Sequence, residues 1–258
     1  MFNFRDKTVV ITGGGSGIGA AMVRRFVKYE AKVAIIEVNL QKAEELVSEI
    51  SQFSAGVRYY EADVTNQEKI IQTIKLIIDE LGSVDVLINN AGISQIGKLD
   101  QTNEQDFDRV FSVNVKGVYN CMYAVIEHMK SRQSGVILNM CSVAATLGIP
   151  DRFAYSATKG AIRSMTFAVA KDYLDHNIRC NCISPARVHT PFVDNYLKVN
   201  YPVKEAEMFT KLEATQPIGR MAKPVEIANL ALYLCSEEAS FITGTDYTID
   251  GGFVTLNT

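Results

Sequence analysis

The chain has 258 residues, 47% of them hydrophobic and 21% charged, the balance of a folded protein long enough to bury a large core. Its formal net charge is -3 and no basic block interrupts it, which argues against a nucleic-acid partner. No apolar run reaches membrane-spanning length, and a β-rich stretch begins by residue 7, leaving no room for a signal peptide; a cytoplasmic protein is expected.

The first strand is expected at 7–12 (KTVVIT), and TGGGSGIG follows it at 12–19. Glycines between a buried strand and an amphipathic helix permit a tight turn. They also let backbone N–H groups approach a pyrophosphate at the helix N-terminus. Gly13, Gly17 and Gly19 carry that turn in a G-x-x-x-G-x-G spacing. A second strand, AKVAIIE at 31–37, ends on Glu37. A carboxylate there accepts ribose hydroxyls and repels a 2′-phosphate, and no cation lies within the turn or directly after Glu37, so NAD is expected over NADP.

The next helix shows an apolar face at Ala43, Leu46, Val47 and Ile50, and VRYYEAD at 57–63 is the third strand. Asp63 at its end suits either the adenine edge or a helix N-cap. The helix after it carries one stripe of Ile70, Ile71, Ile74, Ile77, Ile78 and Leu81. Four further strands are expected: VDVLINN at 84–90, GVILNMC at 135–141, IRCNCIS at 178–184 and DYTID at 246–250. Most strands are near-continuously apolar, as strands covered on both faces are. Repeated strand–helix alternation makes this an α/β protein: one doubly wound domain spanning 1–258, with about seven parallel strands and helices on both faces. The stretch from about 190 to 222 carries three prolines and weak periodicity, and is expected to be an irregular substrate lid.

Five cysteines, scattered through apolar stretches without a C-x-x-C pair, are expected to be reduced core residues. The three histidines lie far apart and form no metal motif, so no metal is expected. Tyr155 and Lys159, four apart at the start of a helix, share a face. An ammonium about 4 Å from a phenolate favours it by roughly 4 kcal/mol at an effective dielectric near 20, enough to make a phenol useful in proton exchange with an alcohol or carbonyl.

Arg152 stands one turn ahead of Tyr155, against the helix dipole. It is either a solvated arginine paired with Asp151 or a bidentate clamp that orients an acid substrate. Arg187 is a candidate second cation and His189 a candidate substrate contact.

TGGGSGIG, NNAG at 89–92, Asn114 in FSVNVKG, Ser142 after VILNMC, YSATK at 155–159, and GRMAKPVEIANLALYLCSEEASFITG before DGG occur in one order along nearly the whole chain. In this the sequence resembles the short-chain dehydrogenase/reductase family, in its shorter single-domain Rossmann branch. The resemblance implies a set of Asn114, Ser142, Tyr155 and Lys159. Tyr155 would be the proton carrier, Ser142 would hold the substrate oxygen, Lys159 would bind the nicotinamide ribose, and Asn114 would anchor a proton-relay water. It further implies NAD contacts from Gly13, Ser16, Gly17, Ile18, Gly19, Glu37, Asp63, Val64, Asn90, Gly92, Tyr155, Lys159, Val188 and Thr190. DRFAY at 151–155 and IRCNC at 178–182 look like relatives acting on 3-hydroxybutyrate or deoxy sugar acids.

The expected activity is therefore oxidation of a secondary alcohol in a small hydroxy acid or sugar-derived acid. A neutral-sugar dehydrogenase, a 3-oxoacyl carrier-protein reductase, or a silent dinucleotide-binding scaffold are the alternatives. Family likeness in LALYLC and FVTLNT implies a homotetramer. One departure is Pro185-Ala186 where the family commonly has Pro-Gly; alanine costs about 1–2 kcal/mol if that position needs positive φ.

Overall fold

Strands that are apolar on both faces must be covered from both sides, and the chain does this by alternating strand and helix. The computed structural model describes residues 2–52, 54 and 56–256. In chain order the first half runs β1 (Thr8–Thr12), α1 (Gly17–Lys28), β2 (Lys32–Glu37), α2 (Leu40–Ser51), β3 (Val57–Glu61), α3 (Gln67–Leu81) and β4 (Val86–Asn89). The second half runs α4 (Glu104–Phe111), α5 (Gly117–Arg132), β5 (Gly135–Met140), α6 (Phe153–Asp172), β6 (Ile178–Pro185), α7 (Pro191–Asn200), α8 (Glu205–Ala214), α9 (Pro224–Cys235) and β7 (Asp246–Ile249).

The seven strands pair in parallel in the order β3-β2-β1-β4-β5-β6-β7. This is the expected doubly wound sheet. Alternation within each strand divides the core. Val9 and Ile11 face the layer of α1, α2 and α9, while Val10 faces that of α3, α5 and α6. Ile70, Ile74 and Ile77 seal α3 to the sheet, each stabilising by about 1.5–3 kcal/mol through burial. Ile71, expected in the same stripe, is 41% exposed because it falls on the flank of that face.

Strand order reverses between β1 and β4, so the loops after these two strands diverge and leave a crevice at their C-terminal ends. The glycine turn and NNAG are those two loops. The 190–222 segment is not irregular as expected: it holds α7 and α8. Pro191 opens α7 at a position where a missing N–H is harmless, and Glu205 and Glu207 favour the start of α8. Neither helix has much core to bury against, Leu197 being the one buried residue noted in α7 and none in α8, so no apolar stripe announces them. Ala186 does not adopt positive φ, and its N–H donates to the Ile249 carbonyl, so alanine is accommodated there without strain. Among the described residues no helix is long and apolar enough to cross a membrane.

Candidate active site

The glycine turn is closed by contacts that tolerate no side chain. Gly13 has φ +63° and packs on the Ala91 backbone; a Cβ on Gly19 would lie 2.1 Å from the Gly13 carbonyl oxygen. The start of α1 is left open. Ser16 occupies its N-cap position without a side-chain cap, and no acidic residue lies in the first turn. Free backbone donors, a helix dipole and glycine walls together fit a pyrophosphate.

Glu37 is fixed beside this turn. Its Oε2 accepts the Gly15 N–H at 3.1 Å, and its Oε1 accepts those of Val38 and Asn39 at 3.0 and 3.1 Å. The carboxylate therefore stands at the rim of the turn, where a ribose hydroxyl can reach its remaining lone pairs. The sequence reading missed Lys42, whose Cβ would come within 3.2 Å of a Cβ on Gly15.

Asn90 joins the two crevice loops rather than leaving its amide free. Its Nδ2 donates to the carbonyls of Thr12 and Gly13, while Thr12 Oγ1 accepts the N–H groups of Asn90 and Ala91 at 3.0 Å. Asp63 is not the cap of α3; Asn66 is, and Asp63 Oδ1 accepts the Thr65 N–H at 2.8 Å in the exposed loop after β3. Val64 is buried, with its carbonyl held by Asn120 at 2.8 Å. Val188 is buried in a bridge to Ala222, and Thr190 sits against Gly17. Glu37, Asn90 and Thr190 thus stand against the glycine turn.

Asn114 owes its place to a defect in a helix. A π turn at Ser112–Lys116 separates α4 from α5, and it turns the Asn114 side chain into the interior. There Oδ1 accepts the Ile93 N–H at 2.9 Å, and Nδ2 donates to the Ile93 carbonyl at 2.9 Å and to Thr158 Oγ1 at 3.1 Å. Thr158 in turn donates to the Tyr155 carbonyl at 2.7 Å. Thr158, a helix threonine with no local signal, is the link that the sequence did not reveal.

Ser142 lies two residues beyond β5 and caps a short turn, its Oγ accepting the Ala144 N–H at 3.2 Å and keeping its own proton to donate. Lys159 is only 6% exposed, with Nζ 5.5 Å from the Tyr155 ring centre and bonded to the Met140 carbonyl at 2.7 Å. Its ammonium also lies 3.9 Å from a Cβ built on Gly92, and Asn114 Oδ1 lies 3.3 Å from the same point. The half-buried Tyr155 hydroxyl has no hydrogen-bond partner among the described residues. The buried ammonium thus stands beside an uncommitted phenol, a pairing that can exchange a proton with an alcohol or carbonyl oxygen.

Arg152 is not paired with the Asp151 carboxylate. It donates from Nη1 to the Asp151 carbonyl oxygen at 3.0 Å, at the head of α6. Arg187 donates from Nε to Thr215 Oγ1 at 3.0 Å. Burial lowers the pKa of Arg187, and the positive charge of Arg152 lowers it further, so the two guanidinium groups feel each other. Both also act on Tyr196 of α7, whose pKa burial nonetheless raises. His189 points elsewhere: Nε2 bonds Asp194 Oδ1 at 2.7 Å and its ring packs edge-on against Phe209.

The enoyl-(acyl carrier protein) reductase family model matches residues 13–254. The chain is 35% identical over 248 residues to the 3-oxoacyl-(acyl-carrier-protein) reductase of Thermotoga maritima, covering 96% of this chain and 98% of that protein. This chain belongs to the short-chain dehydrogenase/reductase family. Within the family it is 32% identical over 253 residues to cyclopentanol dehydrogenase of Comamonas sp., covering 98% and 99%. The solved structure of ElxO with NADP bound superposes with a TM-score of 0.90 at 29% identity, covering 96% of this chain and 99% of that one. Family membership makes this chain an oxidoreductase of the kind that acts on alcohols and ketones and binds a nicotinamide dinucleotide.

Proposed function

We propose that the protein is an NAD(H)-dependent enzyme that interconverts the secondary alcohol and the ketone of a small hydroxy acid or sugar-derived acid. The observation that carries this reading is the pair Arg152 and Arg187: Arg152 stands one helical turn ahead of Tyr155, its charge lowers the pKa of Arg187, and neither is in an ion pair among the described residues. Two unneutralised guanidinium groups close enough to feel each other's charge suit a carboxylate, which each can grip with two donors. Glu37, locked by three backbone N–H groups, supports NAD over NADP.

A bound nicotinamide dinucleotide supplies the hydride acceptor. The protein's part is to hold and deprotonate. Ser142 donates to the substrate oxygen, and Tyr155 takes the alcohol proton in oxidation and returns it in reduction. The buried Lys159 ammonium stabilises the phenolate, and Asn114 holds the Ile93 backbone and the relay path to solvent. Arg152 and Arg187 fix the acid end, so that the carbinol carbon meets the catalytic pair in one orientation. The 190–222 segment serves as the lid, with residues 1–258 as one catalytic domain. The same reading takes the protein as a cytoplasmic homotetramer, which a solution mass would check.

The alternative is a reductase of 3-oxoacyl thioesters, favoured by the Thermotoga maritima relative and by Lys42 beside the turn. Initial rates on hydroxy acids, neutral secondary alcohols, aldoses and a 3-oxoacyl thioester, each with both nucleotides, decide between them. The proposal expects the highest kcat/KM for an acid with NAD. A preference for the thioester with NADPH, or for a neutral aldose, would overturn it.

A further inference from the structure

Cys141 and Cys182 are far apart in the sequence but meet across the β5–β6 seam, and Asp246 of β7 joins them; one ligand atom from each lies within 4.8 Å of the others. We propose that Cys141, Cys182 and Asp246 form a binding site for a thiophilic divalent cation of the zinc and cadmium class, with Cys141 the residue before the catalytic Ser142.

The register separates this from a disulfide. Cys182 pairs with Asn139, two residues before Cys141, so the thiols approach along a diagonal. With strands about 4.8 Å apart and a rise of about 3.3 Å per residue, the two Cα atoms stand about 8 Å apart. A disulfide needs less than about 7 Å. A metal has longer reach: ligands about 2.3 Å from a tetrahedral ion sit about 3.8 Å from one another, which the cluster attains by closing in by about 1 Å.

Charge also balances. Two thiolates and one carboxylate offset a divalent ion and the Arg163 guanidinium, which already grips Asp246 Oδ2 at 3.0 Å. Ser184 Oγ donates to Asp246 Oδ1 at 2.6 Å, so both carboxylate oxygens are engaged and the ion would displace one of these bonds. The Arg163 side chain is 41% exposed and the Asp246 side chain it grips is 9% exposed, so the guanidinium lies on the solvent side of that carboxylate. Binding has a consequence for catalysis. The Cys141 thiol now donates to the Lys159 carbonyl at 3.2 Å, and a metal would remove that bond one residue away from Ser142.

The test is a titration of the reduced, chelator-treated full chain with Cd2+, read by the thiolate-to-cadmium charge-transfer band in the ultraviolet, with Zn2+ as competitor. One equivalent is expected to raise a band of two-thiolate intensity, reversed by a chelator, together with loss of turnover. Cys182→Ala and, separately, Cys141→Ala are expected to weaken binding at least tenfold, and Asp246→Asn to weaken it less. Cys121→Ser and Cys235→Ser should leave the band intact. The proposal fails if wild type gives no band at one equivalent, a result that needs no variant to fold. It fails equally if the band survives at full intensity in a folded Cys182→Ala chain. Since the readout is metal binding, it stands or falls separately from the substrate assignment.

Discussion

The arginine pair makes a prediction in which activity and stability move in opposite directions. Arg152→Met keeps the unbranched stem of the side chain and removes its charged head. A charge-assisted hydrogen bond is worth about 1.5–3 kcal/mol, so losing one half of a carboxylate clamp should lower kcat/KM for the best acid roughly ten- to hundredfold. Most of the loss should fall on KM, because the acid end is held equally in the ground and transition states. The free protein gains instead. The Arg152 charge bears on Arg187, so its removal relieves a repulsion worth about 0.5 kcal/mol at a screened surface. Urea unfolding of the free variant should therefore match or slightly exceed wild type.

Arg187→Met should weaken the acid similarly while also loosening the end of α8, since the Nε bond to Thr215 goes with it. If both arginines grip one carboxylate, the double variant should lose less than the sum of the single losses, by about 0.5–1 kcal/mol or more. Neutral alcohols should barely respond. A change of less than twofold on the best acid, or an equal loss on neutral alcohols, would refute the clamp.

Tyr155→Phe should cut kcat by about 10²–10⁴ while nucleotide affinity, followed by fluorescence titration, stays within a few-fold; retained turnover would remove Tyr155 from the chemistry, and wild-type inactivity on every substrate would favour the scaffold reading. Glu37→Ser should bring the KM for NADP down by about tenfold or more, through loss of the negative charge facing a 2′-phosphate, and unchanged nucleotide preference would show that Lys42 or another group decides it. Arg220 holds the Glu226 carboxyl down at about 2, so this pair stabilises the fold at neutral pH and ceases to as pH falls from about 4.5 through 2. Both side chains are exposed, which limits the effect to below about 1 kcal/mol; Glu226→Gln should show a deficit in urea midpoint at pH 7 that shrinks at pH 4.

What was legible in the sequence was what local physics imposes. Strands covered on both faces must be apolar, a pyrophosphate turn must be glycine, and a helical spacing of four puts Tyr155 and Lys159 on one face. Illegible parts depended on partners distant in the chain. Thr158 reads as an ordinary helix threonine until Asn114 arrives from the π turn to bond it. Asn139 reads as an odd polar residue in a buried strand. In the fold it accepts from Asn89 Nδ2 at 2.8 Å and donates to Thr166 at 2.9 Å, tying β4 to α6 through the core. Helices α7 and α8 were missed for the opposite reason: with little to bury, they need no apolar period, and capping and charge alone mark them.

Lys159 shows how far the site is built against stability. Bringing an ammonium into the interior costs several kcal/mol even after relaxation. Its hydrogen bond to the Met140 carbonyl returns about 1.5–3 kcal/mol, and the Tyr155 ring adds about 1–2 kcal/mol of cation–π attraction. The balance is near zero or unfavourable, so stability does not account for a lysine at this position. Lys159→Met fills the same space without the charge. It should fold with a melting temperature equal to or above wild type while turnover falls by about 10² or more. A loss of more than about 2 kcal/mol in stability would mean that the ammonium braces β5 against α6, and that the charge kept beside Tyr155 is structural rather than catalytic.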